Sequence, residues 1–171
     1  MRIQVSVAIT ILLGFAAAQL VVAQSNISVS SSAFSPGGKI PPRFSCKGAN
    51  VNPPLEFHGV PSTAKSLALI VEDPDAPTGL FTHWLVWNIA PTAGQIGEKT
   101  APPGAIQGTN DFGKSGYGGP CPPSGTHRYF FRVIALDRPL DLKSGKKRAE
   151  FDHATAGHIL ASGELMGRFS N

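Results

Sequence analysis

Apolar residues along this chain fall in short, mostly β-branched or aromatic runs bounded by turn-forming residues, a pattern that predicts strands rather than helices. Five runs stand out: Ile27 to Ser30, Ser66 to Glu72, His83 to Ile89, His127 to Leu136 and Ile159 to Ser170. The last alternates, with Ile159, Ala161, Leu165 and Phe169 on one face and Ser162, Glu164 and Arg168 on the other, as a half-buried antiparallel strand would. Gly163 and Gly167 fall on its inner face and predict a bend or a close approach. Period two places His83, Leu85, Trp87 and Ile89 together, opposite Trp84, Val86 and Asn88. It likewise groups His127, Tyr129, Phe131 and Val133 opposite Arg128, Phe130, Arg132 and Ile134. One helix is predicted, from Lys146 to about Gly157, where proline is absent and Ser144 is a candidate N-cap. The fold class is therefore all-β dominated.

Composition and length divide the 171 residues. Residues 1–23 read as a cleaved signal peptide: Arg2 begins the segment, Val5 to Ala18 form an apolar run, and small residues precede Gln24. Gln4, Thr10 and Gln19 interrupt it, and no basic stop-transfer flank follows, which argues against a membrane anchor. Residues 24–33, rich in serine, are expected to be a flexible lead, and 34–171 a single domain. Within that domain the 33 residues from Thr92 to Ser124 are dense in glycine and proline and carry almost no apolar periodicity. A compact domain keeps so long a loop when the loop has a task.

Without Arg2 the chain carries 14 Lys and Arg against 11 Asp and Glu. The excess sits in Lys143, Lys146, Lys147 and Arg148, a solvated patch without interleaved aromatics, so no nucleic-acid partner is expected. Two cysteines in an exported protein make a Cys46 to Cys121 disulfide plausible, while two free thiols is the alternative that sequence leaves open. The leader predicts a location in the periplasm or outside the cell.

Three stretches could carry chemistry. In Asp73-Pro74-Asp75-Ala76-Pro77 two prolines end an apolar strand and hold two carboxylates in a stiff turn. His83 opens the next strand ten residues later, so antiparallel pairing would bring it beside Asp73, whose charge would hold the imidazole protonated. In Gly116 to Tyr129, glycines allow backbone N–H groups to approach an anion, and His127 and Tyr129 point to one side of a strand.

These stretches, in this order, resemble the phosphatidylethanolamine-binding protein family in its shorter, Raf kinase inhibitor-like bacterial and archaeal form. The resemblance extends from Ile40-Pro41-Pro42-Arg43-Phe44-Ser45-Cys46 and Asn52-Pro53-Pro54-Leu55 to Leu165-Met166-Gly167-Arg168-Phe169. It implies an antiparallel β-sandwich with one helix near the C-terminus. It also implies a cavity for phosphate, phosphorylethanolamine or a carboxylate anion, without turnover and without a cofactor. By motif position the ligand-binding residues would be Asp73, Asp75, His83, Gly119, Pro122, His127 and Tyr129. Phe81 and Thr82 stand where eukaryotic members carry a different aromatic and a histidine, and the C-terminal helix that closes their pocket is missing. A peripheral phospholipid headgroup or a protein target, such as an inhibited kinase or protease, would be partners of the same pocket.

Two other chemistries compete for the same residues. One carboxylate and two histidines describe a facial metal triad of Asp73, His83 and His127. Ser124, three residues before His127, could serve a weak hydrolase oriented by Asp73, although no nucleophile-elbow motif surrounds it.

Overall fold

The computed structural model describes residues 26–171. The segment expected to be a signal peptide lies outside them.

Two antiparallel sheets form a sandwich. The larger has the order β6-β4-β3-β7-β8, built from β3 (Ser66–Asp73), β4 (Phe81–Ile89), β6 (Ile106–Gln107), β7 (Thr126–Leu136) and β8 (Ile159–Ser170). The smaller has the order β1-β2-β5, from β1 (Ser28–Ser30), β2 (Leu55–His58) and β5 (Gln95–Ile96). Between the sheets lies the main core, where Val29, Leu55, Phe57 and Ile96 of the small sheet meet Leu69, Val71, Trp84, Phe131 and Leu165 of the large one. On the outer face of the large sheet, Ala68, Ile70, Leu85, Trp87 and Ile134 lie under Phe151 of the helix α1 (Arg148–Thr155) and under Leu140. Strand β3 is thus buried along its whole length, which its apolar run requires, since a strand covered on both faces has no solvated side.

One charged group shares that outer face. The buried Glu72 carboxylate receives Arg132 of β7 at 2.8 Å and Arg148 of α1, tying the helix to the middle of the sheet. Two arginines satisfy both carboxylate oxygens, the condition under which a buried charge is tolerated.

The structure corrects several expectations. The lead over 24–33 is part of the fold from Asn26 onward: Ile27 and Val29 are buried, Ser28 to Ser30 pair with β2, and the Ile27 N–H donates to Ser162 O at 3.0 Å. The serines dominate the composition there, but the apolar alternation decides the structure. Helix α1 is shorter than expected and begins after Lys147, whose N–H is received by the Glu150 carboxylate; Ser144 instead donates its hydroxyl to Gln107 O. Ile159 is 47% exposed because a register shift between Ala135 and Leu136 ends the alternation of β8. Ile89 lies in the main core with Trp84 and Val86, not with Leu85 and Trp87, because Asn88 adopts φ 58° and swaps the faces. The Asn88 side chain is fastened on both sides, accepting from Leu140 N–H at 2.7 Å and donating to Leu140 O at 3.0 Å.

Gly163 and Gly167 serve close packing. A Cβ at Gly163 would lie 1.6 Å from Ile27 O, and one at Gly167 would lie 2.6 Å from Ile40 and 2.7 Å from Phe34. The long loop from Thr92 to Ser124 contributes only the two-residue strands β5 and β6 and is otherwise held by backbone hydrogen bonds to its neighbours, such as Gly108 N–H to Leu85 O at 3.0 Å and Gly118 N–H to His83 O at 2.9 Å, and by the side chains of Asn110 and Asn50.

A histidine-lined cleft at the strand ends

Strand β3 ends at Asp73, opposite Phe81 at the start of β4. The ladder pairs Val71 with Trp84 and then Glu72 with Thr82, which leaves His83 as the extra residue of a β-bulge. A bulge re-aims the side chain it carries. The His83 ring therefore packs edge-on against Tyr129, with centroids 5.2 Å apart, instead of joining Leu85 and Trp87 as strict alternation predicted.

The carboxylate-imidazole pair also differs from the expected one. Asp73 is bonded to His127, not His83: the Nδ1 of His127 donates to Asp73 Oδ2 at 2.8 Å. The Asp75 N–H donates to Asp73 Oδ1 at 2.8 Å, so both carboxylate oxygens are occupied and the acid is fixed in its turn. His83 donates its Nδ1–H to Gly118 O at 2.7 Å. Burial pushes the His83 pKa down, against the opposing pull of the Gly118 carbonyl and the Asp73 charge, so its ring is held neutral rather than protonated. Each imidazole thus has Nδ1 committed to the protein, which leaves Nε2 for the cleft that both rings line.

Behind the two rings, the Tyr129 hydroxyl is fully buried beside the Asp73 carboxylate and the Cys121 backbone, and no hydrogen bond of ordinary geometry satisfies it. Burial, reinforced by the nearby Asp73 charge, raises its pKa, so the phenol stays a donor. An orphaned buried hydroxyl is costly, and a bound polar group within reach would remove that cost.

The cleft has a volume of about 230 Å³. Asp73, His83, Pro122 and His127 line it; Tyr129 does not, and packs instead behind the two imidazoles, stacked on His127 with centroids 6.5 Å apart. The other two expected residues point elsewhere. Asp75 turns to Arg128, receiving its backbone N–H at 3.0 Å and two guanidinium N–H groups at 2.8 and 2.6 Å, and this holds the Asp75 carboxyl at about 2. Gly119 donates its N–H to Asn50 Oδ1 at 2.8 Å, and a Cβ there would lie 2.3 Å from Phe44 O. Its amide is not available to an anion, because it is spent on the Asn50 side chain.

Sequence reasoning missed Phe112, Thr78 and Pro123, which also line the cleft. Phe112 was the one legible signal, a lone large apolar residue in a glycine-rich loop. Cys46 and Cys121 form a disulfide with Cα atoms 5.4 Å apart, and Cys121 stands in the cleft wall. Among the described residues, no group of three or more His, Cys, Asp or Glu is placed to share a metal ion, which removes the support for the facial triad. Ser124 is exposed and makes no hydrogen bond to His127, whose Nδ1 is directed at Asp73.

Comparison with known proteins fits this geometry. A family model described as phosphatidylethanolamine-binding protein matches residues 30–170. A UPF0098 protein of Methanothermobacter thermautotrophicus is 47% identical over 148 residues, covering 84% of this chain and 98% of that protein. A crystal structure of a phosphatidylethanolamine-binding protein homologue from Chlamydia trachomatis superposes with a TM-score of 0.82 at 43% identity, covering 86% of this chain and 99% of the other. That of Escherichia coli YbcL, described as a member of the mammalian family, superposes at 0.80 with 32% identity and the same coverage.

Proposed function

The chain belongs to the phosphatidylethanolamine-binding protein family, and from that premise we propose that it is an exported binding protein whose cleft receives a small phosphate-type or carboxylate anion without turning it over. The observation that carries this reading is the pair of imidazoles with both Nδ1 atoms committed and both Nε2 atoms left for one cleft, in front of a buried hydroxyl that no hydrogen bond of ordinary geometry satisfies. An oxyanion offers several acceptor oxygens, and a monoprotonated one also offers a donor to a neutral Nε2. Recognition rather than catalysis is supported by the family, described by what it binds, and by Ser124, the candidate nucleophile, lying exposed while the Nδ1 of His127 is directed at Asp73. Export is supported by the disulfide, whose two cysteines are both exposed and would be reduced in a cytosolic environment.

A ligand that binds only the native state raises its melting temperature, by about 2.7 kcal/mol of stabilisation at a hundred times Kd. Millimolar inorganic phosphate should therefore raise the melting temperature by several degrees, and His127→Gln should abolish the shift. No shift with phosphate or acetate anywhere between pH 5 and 8 would sink the proposal.

A further inference from the structure

We infer that the outer face of the large sheet carries a second oxyanion site, at Lys39, Thr126, Arg168 and Ser170, which takes the dianionic group of a phosphate or sulfate monoester. It stands apart from the histidine-lined cleft and does not rest on the reading of that cleft as an anion site.

Three cations lie side by side across neighbouring strands. The β7–β8 ladder sets Arg128 opposite Arg168. Along the other side of β8 the chain before Pro41 runs parallel to it: the Arg168 N–H donates to Gly38 O and the Ile40 N–H to Arg168 O, both at 2.8 Å, which places Lys39 beside Arg168. All three cations are exposed, while their neighbours Ile40 and Phe169 point into the core. Like charges on adjacent strands repel, so the row costs the fold stability unless an anion neutralises it. Arg128 has such a partner in Asp75. No carboxylate among the described residues, that of Asn171 at the chain end included, pairs with Lys39 or Arg168.

These two cations border a depression of about 280 Å³. Its other polar side chains are the hydroxyls of Thr126 and Ser170, which the same ladder sets opposite each other, two residues from Arg128 and Arg168. The lining thus offers an ammonium, a guanidinium fork and two hydroxyls, all able to donate, and no acid. A tetrahedral dianion brings three acceptor oxygens and the charge that two cations match. Lys39, Thr126 and Arg168 are exposed, so the bound group faces solvent and its fourth oxygen can carry the rest of a larger molecule.

Two contrasts isolate the site. It shares no lining residue with the cleft, since His127, between Thr126 and Arg128 in β7, turns to the other face of the sheet. The basic cluster at the start of α1 differs in being neutralised: Lys146 pairs with Glu150, and Arg148 with Glu72 and Asp152.

The test is a titration of the intact, isotope-labelled protein with sodium sulfate and with methyl phosphate, read from amide NMR shifts at an ionic strength held constant with sodium chloride. Both probes should give saturable shifts at Lys39 and Arg168, with a dissociation constant of about a few millimolar. Lys39→Met and Arg168→Met should each weaken that binding about tenfold, the loss of one charge-assisted contact, and Arg168→Lys should recover part of it. Removing a charge from the row relieves repulsion, so Arg168→Met should melt no lower than wild type, which keeps lost binding apart from a lost fold. Shifts confined to Asp73 and His127, shifts at Lys143 and Lys147 as large as those at Arg168, or saturation that survives the double substitution of Lys39 and Arg168 by methionine would each overturn the inference. So would the failure of either probe to saturate by about 50 mM. The loss of the phosphate response in His127→Gln tests the cleft independently of all these outcomes.

Discussion

The Nδ1 of His127 and the Oδ2 of Asp73 meet at 2.8 Å although 54 residues separate them in the chain, and this one bond joins the start of β7 to the end of β3. Both side chains are almost wholly buried, so the two partners respond differently to removal. His127→Ala leaves a buried carboxylate without its partner and should cost about 3–5 kcal/mol of stability. Asp73→Asn keeps shape and an acceptor and should cost about 1.5–3 kcal/mol. Denaturant melts of the two single variants and the double variant would show the coupling; additive losses would mean that the bond contributes nothing of its own.

His83 supplies a pH dependence whose sign follows from its lowered pKa. The unfolded chain takes up a proton near the ordinary value of about 6.5, while the folded protein resists doing so. The contribution of this residue to stability is thus complete above about pH 6.5 and is lost as pH falls below it, until the folded pKa is reached. Imidazole resonances followed by NMR should give a midpoint for His83 below 6.5, and phosphate should move it upward, because an anion favours the protonated ring. A midpoint at or above 6.5 without ligand would contradict the burial argument.

Asp75 behaves in the same sense, in a lower range of pH. Its folded pKa of about 2 is set first by the Arg128 guanidinium, so the stability it contributes is present above about pH 4 and disappears as pH falls toward 2. Asp75→Asn and wild type should therefore differ in melting temperature by a few degrees at pH 6 and converge near pH 2. The variant should also weaken phosphate binding, since Asp75 receives the backbone N–H of Arg128 beside His127 and its own N–H reaches Asp73.

The Cys46–Cys121 bridge spans 75 residues, and in the chain-entropy model such a loop is worth about 4 kcal/mol. Replacing both cysteines by alanine should lower stability by an amount of this order, measured by denaturant unfolding. It should weaken phosphate binding as well, because Cys121 and Pro122 form one wall of the cleft.

Gly163→Ala should destabilise by about 1–3 kcal/mol, since its methyl group would overlap the Ile27 carbonyl and push β1 away. Amide exchange should then quicken at Ile27, whose N–H donates to Ser162.

The sandwich and its long strands were legible because they rest on apolar alternation, which local sequence records directly. The departures fall where a single backbone irregularity resets that alternation. Asn88 at positive φ moves Ile89 to the other face, and the bulge at His83 turns its ring toward Tyr129; neither has a signature that distinguishes it from a regular strand residue. The site was legible as a set of residues but not as a set of bonds. Asp73 and His127 are partners because β3 and β7 are neighbours in the sheet, whereas proximity in sequence favoured His83. Gly119 and Asp75 look like ligand groups by position, yet each is used to hold loop or turn in place. The short strands β5 and β6 are two residues each, too brief for any periodicity to reveal.

The disulfide also partitions the molecule covalently. Residues 46–121 form a closed ring that contains β2 to β6 and therefore Asp73, His83 and Phe112, while His127 and Tyr129 lie on the tail that follows it. The cleft is assembled across that boundary, with the ring supplying the acid and the aromatic wall and the tail supplying the imidazole the acid holds. A protease that cuts the exposed turn around Thr78 to Leu80 would thus open the ring without releasing a fragment. On a non-reducing gel the nicked chain would keep its full mass, and only a reductant would separate it into two pieces.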